Sequence, residues 1–304
     1  MKLKSFLVLP LLLGAACGTI SNLQSATPKQ AEHNAPAHAA SSANVTLGAS
    51  PEAITITPRA SGAENYFEAS IDYIGTINYA ASARDDGVYR VTLTENANDL
   101  NYSGEPLNWA IRIDPAIPLS LDVHSSSGAL SLDLRDFTVT DLHADTSSGA
   151  VNVTLPATDQ PYQASINTSS GAVTATVADN AQINFTTMKT SSGSITLNTG
   201  SASNVSADIE TSSGDIKLNV DANVDAEITF RSSSGAVTVD VPEGAAVRLE
   251  IAQNSSGGVN VPGWLRQVSG DNKTGVWESD GFETAEHQVF ITVTRVSSGA
   301  VTVQ

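Results

Sequence analysis

The stretch Thr146-Ser147-Ser148-Gly149-Ala150-Val151-Asn152-Val153-Thr154-Leu155 is one copy of a phrase that returns through most of the chain. Its glycine recurs as Gly128, Gly149, Gly171, Gly193, Gly214, Gly235, Gly257 and Gly299, at separations of 21, 22, 22, 21, 21, 22 and finally 42, twice the unit. A fixed period of this size marks an architecture of stacked repeats. Two and four residues after each glycine stand apolar side chains: Val151 and Val153, Val173 and Ala175, Ile195 and Leu197, Ile216 and Leu218. Such period-two alternation predicts a strand with one buried face. A second apolar column, Val123, Ala144, Ile166, Met188, Ile209 and Phe230, lies five residues before the glycine. The two columns are seven residues apart, an odd number that one straight strand would send to opposite faces. Ser-Ser-Gly must therefore bend the chain, with glycine supplying the positive φ of a tight bend and the serines bonding nearby backbone.

Each unit is expected to be strand, bend, strand and loop. One unit cannot bury its own apolar face, whereas stacked copies share a continuous core. The expected fold is all-β: a stacked, β-helix-like β-solenoid with Ser-Ser-Gly repeats of 21–22 residues. Thr146, Thr168, Thr190 and Thr211, three residues before their glycines, should form a hydroxyl ladder that satisfies backbone groups at the corner.

Outside the repeat the chain divides into segments of different character. Residues 1–17 read as an export signal, with Lys2 and Lys4 at its start, an apolar run from Phe6 to Leu13, and Gly14-Ala15-Ala16 before the sole cysteine, Cys17. The run is too short to span a bilayer. Cys17 after small residues resembles the lipobox of bacterial lipoproteins, which implies a lipidated Cys17 and a membrane-anchored protein at the cell surface or periplasmic face. Gly14 stands where that motif prefers a large aliphatic residue, and ordinary cleavage would instead leave a secreted protein with one thiol. Residues 18–48 are poor in large apolar side chains and are expected to be a disordered linker, with His33 and His38 solvated rather than metal-binding. Residues 49–124 alternate in strand fashion without the repeat and are expected to form N-terminal β cap layers. Residues 125–304 are the repeat stack, interrupted by an irregular loop at 262–286 that carries Trp264 and Trp277. Those tryptophans are expected to cover the end of the core, with one rung replaced or expanded there.

With 15 Lys and Arg against 32 Asp and Glu, the chain has a net charge of -17. An acidic surface of this kind repels phosphate backbones, so nucleic acid is excluded as a partner. The sequence has no second cysteine for a redox or zinc pair, no His-Glu-x-x-His, no Gly-x-Ser-x-Gly and no phosphate loop. No enzyme activity, cofactor or metal site is expected. The rival reading is a polysaccharide-active β-solenoid, a lyase or hydrolase, for which the cluster Asp133, Arg135, Asp136, Asp141 and Asp145 is the densest candidate. Whether Asp133, Asp136, Asp141 and Asp145 bind calcium is left open by their spacing, which matches no twelve-residue calcium loop.

Several of these phrases carry a family likeness. The segments 62–75, 109–118, 128–134, 146–156 and 296–303 resemble the toast-rack family of bacterial domains, related to the putative-adhesin and LiaF-like C-terminal domains, over about residues 50–304. The resemblance implies an all-β stack tethered at the cell envelope, with no catalytic residues to carry over. Independently, the residues three and five places after each glycine should point away from the core. Asn152, Thr154, Thr174, Thr176, Thr196 and Asn198 are thus the candidate binding face, a nearly uncharged surface of hydroxyls and amides suited to an envelope glycan or a surface protein. Thr and Asn also suit any solvent-facing sheet. Oligomeric state is not legible.

Overall fold

Alternating apolar residues give each repeat two short strands whose inward side chains meet across one interior. The computed structural model describes residues 24–304, apart from 61, 63, 98 and 99. In the rung that contains Gly149, Val139–Thr146 lies in one sheet and Val151–Leu155 in the other, with 147–150 as the corner between them. Tyr162–Thr168 and Val173–Val177 repeat the pattern one level on, followed by Gln182–Thr190 with Ile195–Asn198 and Asn204–Thr211 with Ile216–Asn219. Successive rungs pair in parallel and in register, Val151 beside Val173, Val173 beside Ile195, and Ile195 beside Ile216. Among the described residues this builds a 13-stranded and a 12-stranded sheet face to face. Both apolar columns are buried between them, from Val123 to Phe230 on one side and from Leu130 to Val239 on the other. The all-β solenoid-like stack expected from the glycine period is the fold observed.

The corner works differently from the expectation of positive φ. None of the Ser-Ser-Gly glycines is among the residues with positive φ. Glycine is required there because successive corners touch. A Cβ placed on Gly149 would lie 1.9 Å from the carbonyl oxygen of Gly128, one on Gly171 would lie 1.8 Å from that of Gly149, and one on Gly214 would lie 1.7 Å from that of Gly193. The threonine ladder stands beside this column. Thr168 Oγ1 donates to the Gly149 carbonyl at 3.2 Å and accepts the Gly171 N–H at 3.1 Å. Thr146, Thr190 and Thr211 make the same two bonds on their own levels. Ser125 and Asn254 hold the equivalent place further along the stack, each accepting the N–H of its glycine.

Both ends of the stack run out of sequence order. Ser42–Ala49 and Ala53–Pro58 form a full rung in which Glu52 stands in the glycine position. This rung is inserted between the one built by Val88–Asn96 with Asn108–Ile113 and the one built by Leu119–Ser125 with Leu130–Asp133. Lys29–Pro36 pairs antiparallel with Asn65–Tyr73 at the edge of the 12-stranded sheet, and Thr76–Ala83 pairs antiparallel with Val88–Asn96 at the edge of the other. The linker expected at 18–48 is therefore corrected from residue 29 onward. Ala31, Ala35, Ala43, Val45, Leu47 and Ala49 recur at period two, and such small side chains suffice where the partner strand supplies bulk, as Phe67 does opposite Ala35. His33 packs on Tyr79 with ring centroids 4.5 Å apart, and burial holds its pKa below the usual imidazole value. The export signal, Cys17 and residues 18–23 lie outside the described residues.

At the far end, Val247–Ile251 and Val259–Asn260 form the terminal rung. The hairpin Leu265–Gly270 and Gly275–Ser279 continues the 13-stranded sheet beyond it. Val289–Val296 and Val301–Val303 then return and insert between the terminal rung and the one before, Asp225–Ser232 with Val237–Asp240. The 42-residue gap between Gly257 and Gly299 is thus not a replaced or expanded rung. Gly299 stacks on Gly235, and Gly257 stacks on Gly299. The irregular loop holds the hairpin and a short 3-10 turn, Phe282–Thr284, and Trp277, 5% exposed, closes the core there as expected.

Because the corner glycines are fixed by contact rather than by φ, Gly171→Ala should destabilise the fold by about 3 kcal/mol, in the manner of an overpacked core. Gly244→Ala, at a positive φ with open space around it, should cost about 1 kcal/mol. Denaturant melts of both variants check this, and a Gly171→Ala protein as stable as the parent would contradict the close approach. Thr190, fully buried, gives a second check. Thr190→Val strands a partly buried N–H and a buried carbonyl and should cost about 2 kcal/mol, whereas Thr190→Ser keeps both bonds and should cost about 1 kcal/mol for the lost methyl.

Candidate binding face

In the strands that follow each corner, side chains alternate between the core and solvent, so residues three and five places after each glycine share the outer face of the 12-stranded sheet. Parallel in-register pairing stacks them into two columns. One runs Ser131, Asn152, Thr174, Thr196, Lys217 and Thr238. The other runs Asp133, Thr154, Thr176, Asn198, Asn219 and Asp240. Asn152, Thr154, Thr174, Thr176, Thr196 and Asn198 are therefore brought together on one surface. Lys217 breaks the neutral run one level further on. Within the second column the amides bond one another: Asn219 Nδ2 donates to Asn198 Oδ1 at 2.5 Å, and Asn198 Nδ2 donates to Thr176 Oγ1 at 3.3 Å. That ladder uses part of the bonding capacity of Thr176, Asn198 and Asn219, leaving Asn152, Thr154, Thr174 and Thr196 as the freer groups.

The face is not flat. A depression of about 370 Å³ lies over Thr55, Thr57, Ser131, Asn152, Thr154 and Thr174, with Asp133 and Arg135 at one side. A second, of about 420 Å³, shares Thr55 and Thr57 with the first and continues toward Glu32, Asn34, Glu68, Ser70 and Arg112. Together they make one shallow trough across the N-terminal half of the sheet. Thr, Ser and Asn face outward along its floor, and Glu32, Glu68 and Arg112 line its N-terminal side. Glu68 sits between two guanidinium groups, 3.0 Å from Arg59 and 3.0 Å from Arg112. The Arg112 side chain is 64% exposed and so remains accessible at the trough wall. Asp133 is paired with Arg135 at 2.8 Å.

Thr55, Thr57, Glu68 and Arg112 are absent from the sequence-derived face. The signal for the first two is present in the alternation Ala53-Ile54-Thr55-Ile56-Thr57, which matches the residues after a corner glycine once Glu52 is recognised in the glycine place. Nothing in the repeat signals Glu68 and Arg112, which belong to strands of the cap.

The acidic cluster is split by the fold. Asp133 belongs to Leu130–Asp133 in the 12-stranded sheet and Asp136 follows it in the connecting loop, whereas Asp141 and Asp145 lie on Val139–Thr146 in the opposite sheet. His143 is bonded to Asp145 at 2.7 Å and His287 to Asp225 at 3.1 Å. Among the described residues no group of three or more His, Cys, Asp or Glu is arranged to hold a metal ion. No helix among them is long and apolar enough to cross a membrane.

Comparison with known proteins bears on the fold. A solved structure from Bacteroides fragilis named "putative adhesin" aligns over 92% of this chain and 100% of its own, at 12% identity and a TM-score of 0.46. One from Clostridium sporogenes named "putative cell adhesion protein" aligns over 91% and 99%, at 13% identity and a TM-score of 0.27. A "putative lipid binding protein" from Parabacteroides distasonis aligns over 92% and 99%, at 10% identity and a TM-score of 0.31. At these identities and scores the names say nothing about a ligand for this chain. Among curated proteins no relative matches it. The family model described as Toastrack DUF4097 matches residues 50–304, which covers the whole glycine-cornered stack, and the chain belongs to that family.

Proposed function

We propose that this protein is a non-catalytic cell-envelope binding module, adhesin-like or scaffolding, that holds an extended envelope glycan in the trough on its 12-stranded sheet. The observation that carries this reading is the trough floor, where hydroxyl and amide groups repeat from rung to rung at the interstrand distance of about 4.8 Å. That spacing is close to the length of one sugar ring in an extended chain, so successive rungs can offer hydrogen bonds to successive sugars. A net charge of -17 disfavours anionic polymers and leaves neutral glycans or a surface protein as partners. The accessible Arg112 at the wall supplies a donor for sugar hydroxyls. Lipidation at Cys17 would keep the module at the membrane surface.

Charging the trough floor with Thr174→Lys and Thr176→Lys together should weaken retention of cell-wall or exopolysaccharide material about tenfold or more, since each ammonium blocks a hydrogen-bonding row. The melting temperature should be unchanged, both positions being outside the core. Parent-level retention by the double variant would mean that this face is only a solvated sheet surface. The same polysaccharide panel, with and without calcium, distinguishes the lyase or hydrolase reading, which requires new reducing ends or unsaturated products. For location, Cys17→Ser should move the protein from the membrane fraction to the soluble one; unchanged fractionation would refute the anchor.

A further inference from the structure

Glu52 occupies the place that glycine holds in the later corners, and it is 1% exposed. Its Oε2 accepts the Ser50 N–H at 2.7 Å. Glu95, near the end of Val88–Asn96 in the adjoining rung, uses Oε1 to accept the N–H groups of Ile74 at 2.9 Å and Gly75 at 2.6 Å. Those two amides form the turn between Asn65–Tyr73 and Thr76–Ala83, the antiparallel strands that cap this end of the stack. The other oxygen of each carboxyl, Glu52 Oε1 and Glu95 Oε2, is buried and meets no N–H or O–H of the protein. Gly48 pairs with Thr94, so the corner that carries Glu52 runs beside Glu95, and the two orphaned oxygens belong to adjoining rungs. An ionised carboxylate only accepts hydrogen bonds, so two facing carboxyls can bond only if one of them keeps its proton.

We propose that Glu52 keeps its proton in the folded chain and donates it to Glu95, and that this hydrogen bond latches the N-terminal cap turn to the first rungs, so that the cap loosens as the pH rises. The neighbouring elements carry nothing that replaces it. Ser125 and Ser126, from the next corner, bond the Glu52 carbonyl and the Ser50 hydroxyl. Lys29, from the edge strand, donates to the Gly75 carbonyl at 3.2 Å and lies over the Tyr73 ring. Asp72 accepts from Gln30, and His124 is exposed on the outer face. The charge that acts on Glu52 is that of Glu95. Burial, and after it the bond to Glu95, push the Glu52 carboxyl up to about 8 from an ordinary value of 4.5. The folded chain therefore binds a proton that the opened chain releases. The latch is complete below about pH 4.5, and its contribution is lost progressively as the pH rises through about 8.

Amide hydrogen exchange on the full chain tests the latch. Protection factors at Ile74 and Gly75, which remove the intrinsic pH dependence of exchange, should fall roughly tenfold per unit between about pH 5 and 8 and level off above that, because one proton leaves on opening. In Glu52→Gln the amide donates to Glu95 in place of the proton, and protection should no longer fall with pH. Glu95→Gln removes the facing carboxyl but leaves Glu52 buried, so protection should level off at a lower pH than in the parent, and this shift carries the comparison if Glu52→Gln does not fold. Flat protection in the parent, or the parent's full pH profile retained in both variants, would overturn the proposal. Added calcium that restores protection at pH 8.5 in the parent but not in Glu52→Gln would also overturn it, by making the pair a cation site.

Discussion

The stack depends on one contact, the carbonyl oxygen of one corner glycine lying where the Cβ of the next would be. At 1.7 to 2.0 Å from that missing atom, the oxygen leaves no room for any side chain from Gly149 through Gly235 to Gly299 and Gly257, and at Gly128 the Glu52 carbonyl does the same at 1.8 Å. The approach sets the bend that turns an odd spacing of seven residues into two inward-facing columns. It also brings the carbonyl within reach of the threonine hydroxyl, so a group that would be buried and unpaired becomes one step of a ladder. Close approach and hydrogen-bond satisfaction select glycine and threonine jointly, three residues apart. That explains why the two columns travel together through the middle of the sequence.

A parallel stack has two raw edges, and an edge of unpaired backbone groups invites pairing with another chain. At each end the chain lays down a rung, passes through antiparallel strands and adds a rung out of sequence order. At the N-terminal end those strands cover both sheets, whereas at the far end the hairpin covers the 13-stranded sheet and Val259–Asn260 is the last strand of the other. Two of the outermost strands are poor templates: Lys29–Pro36 carries Lys29, Glu32 and Pro36, and Leu265–Gly270 ends on the positive-φ Gly270. The out-of-order rungs also tie each cap to the stack by pairing on both sides, which a simple terminal hairpin would lack.

The central rungs were legible because their period, alternation and corner residues all repeat, and Asn152, Thr154, Thr174, Thr176, Thr196 and Asn198 fall on one face for the same reason. The insertion of residues 289–303 between earlier rungs was not legible. A rung offers nearly the same pairing surface to every neighbour, so the sequence fixes what a rung is without fixing which rung lies beside it. Residues 29–49 were misread because much of their alternation is carried by alanine, which contributes little to hydropathy but fits opposite larger partners, Ala31 beside Ile71 and Ala35 beside Phe67. The reason for glycine was misread as well, since a requirement for positive φ and a requirement for close approach leave the same residue in the sequence. The trough wall was missed because Glu68 and Arg112 have no counterpart in the repeat.

The division of labour within a rung bears on how this surface comes to be specific. Corner and inward positions answer to the neighbouring rung, and a change at one level is felt at the next through the glycine contact. Outward positions answer only to solvent or to a ligand. Lys217 between Thr196 and Thr238 shows that a single level can change charge while the pairing register on either side is kept. The two outward columns can therefore vary level by level over an unchanged scaffold. At the N-terminal end they meet side chains from outside the repeat, among them Glu68 and Arg112, and the concavity that begins over Ser131, Asn152 and Thr174 continues toward them.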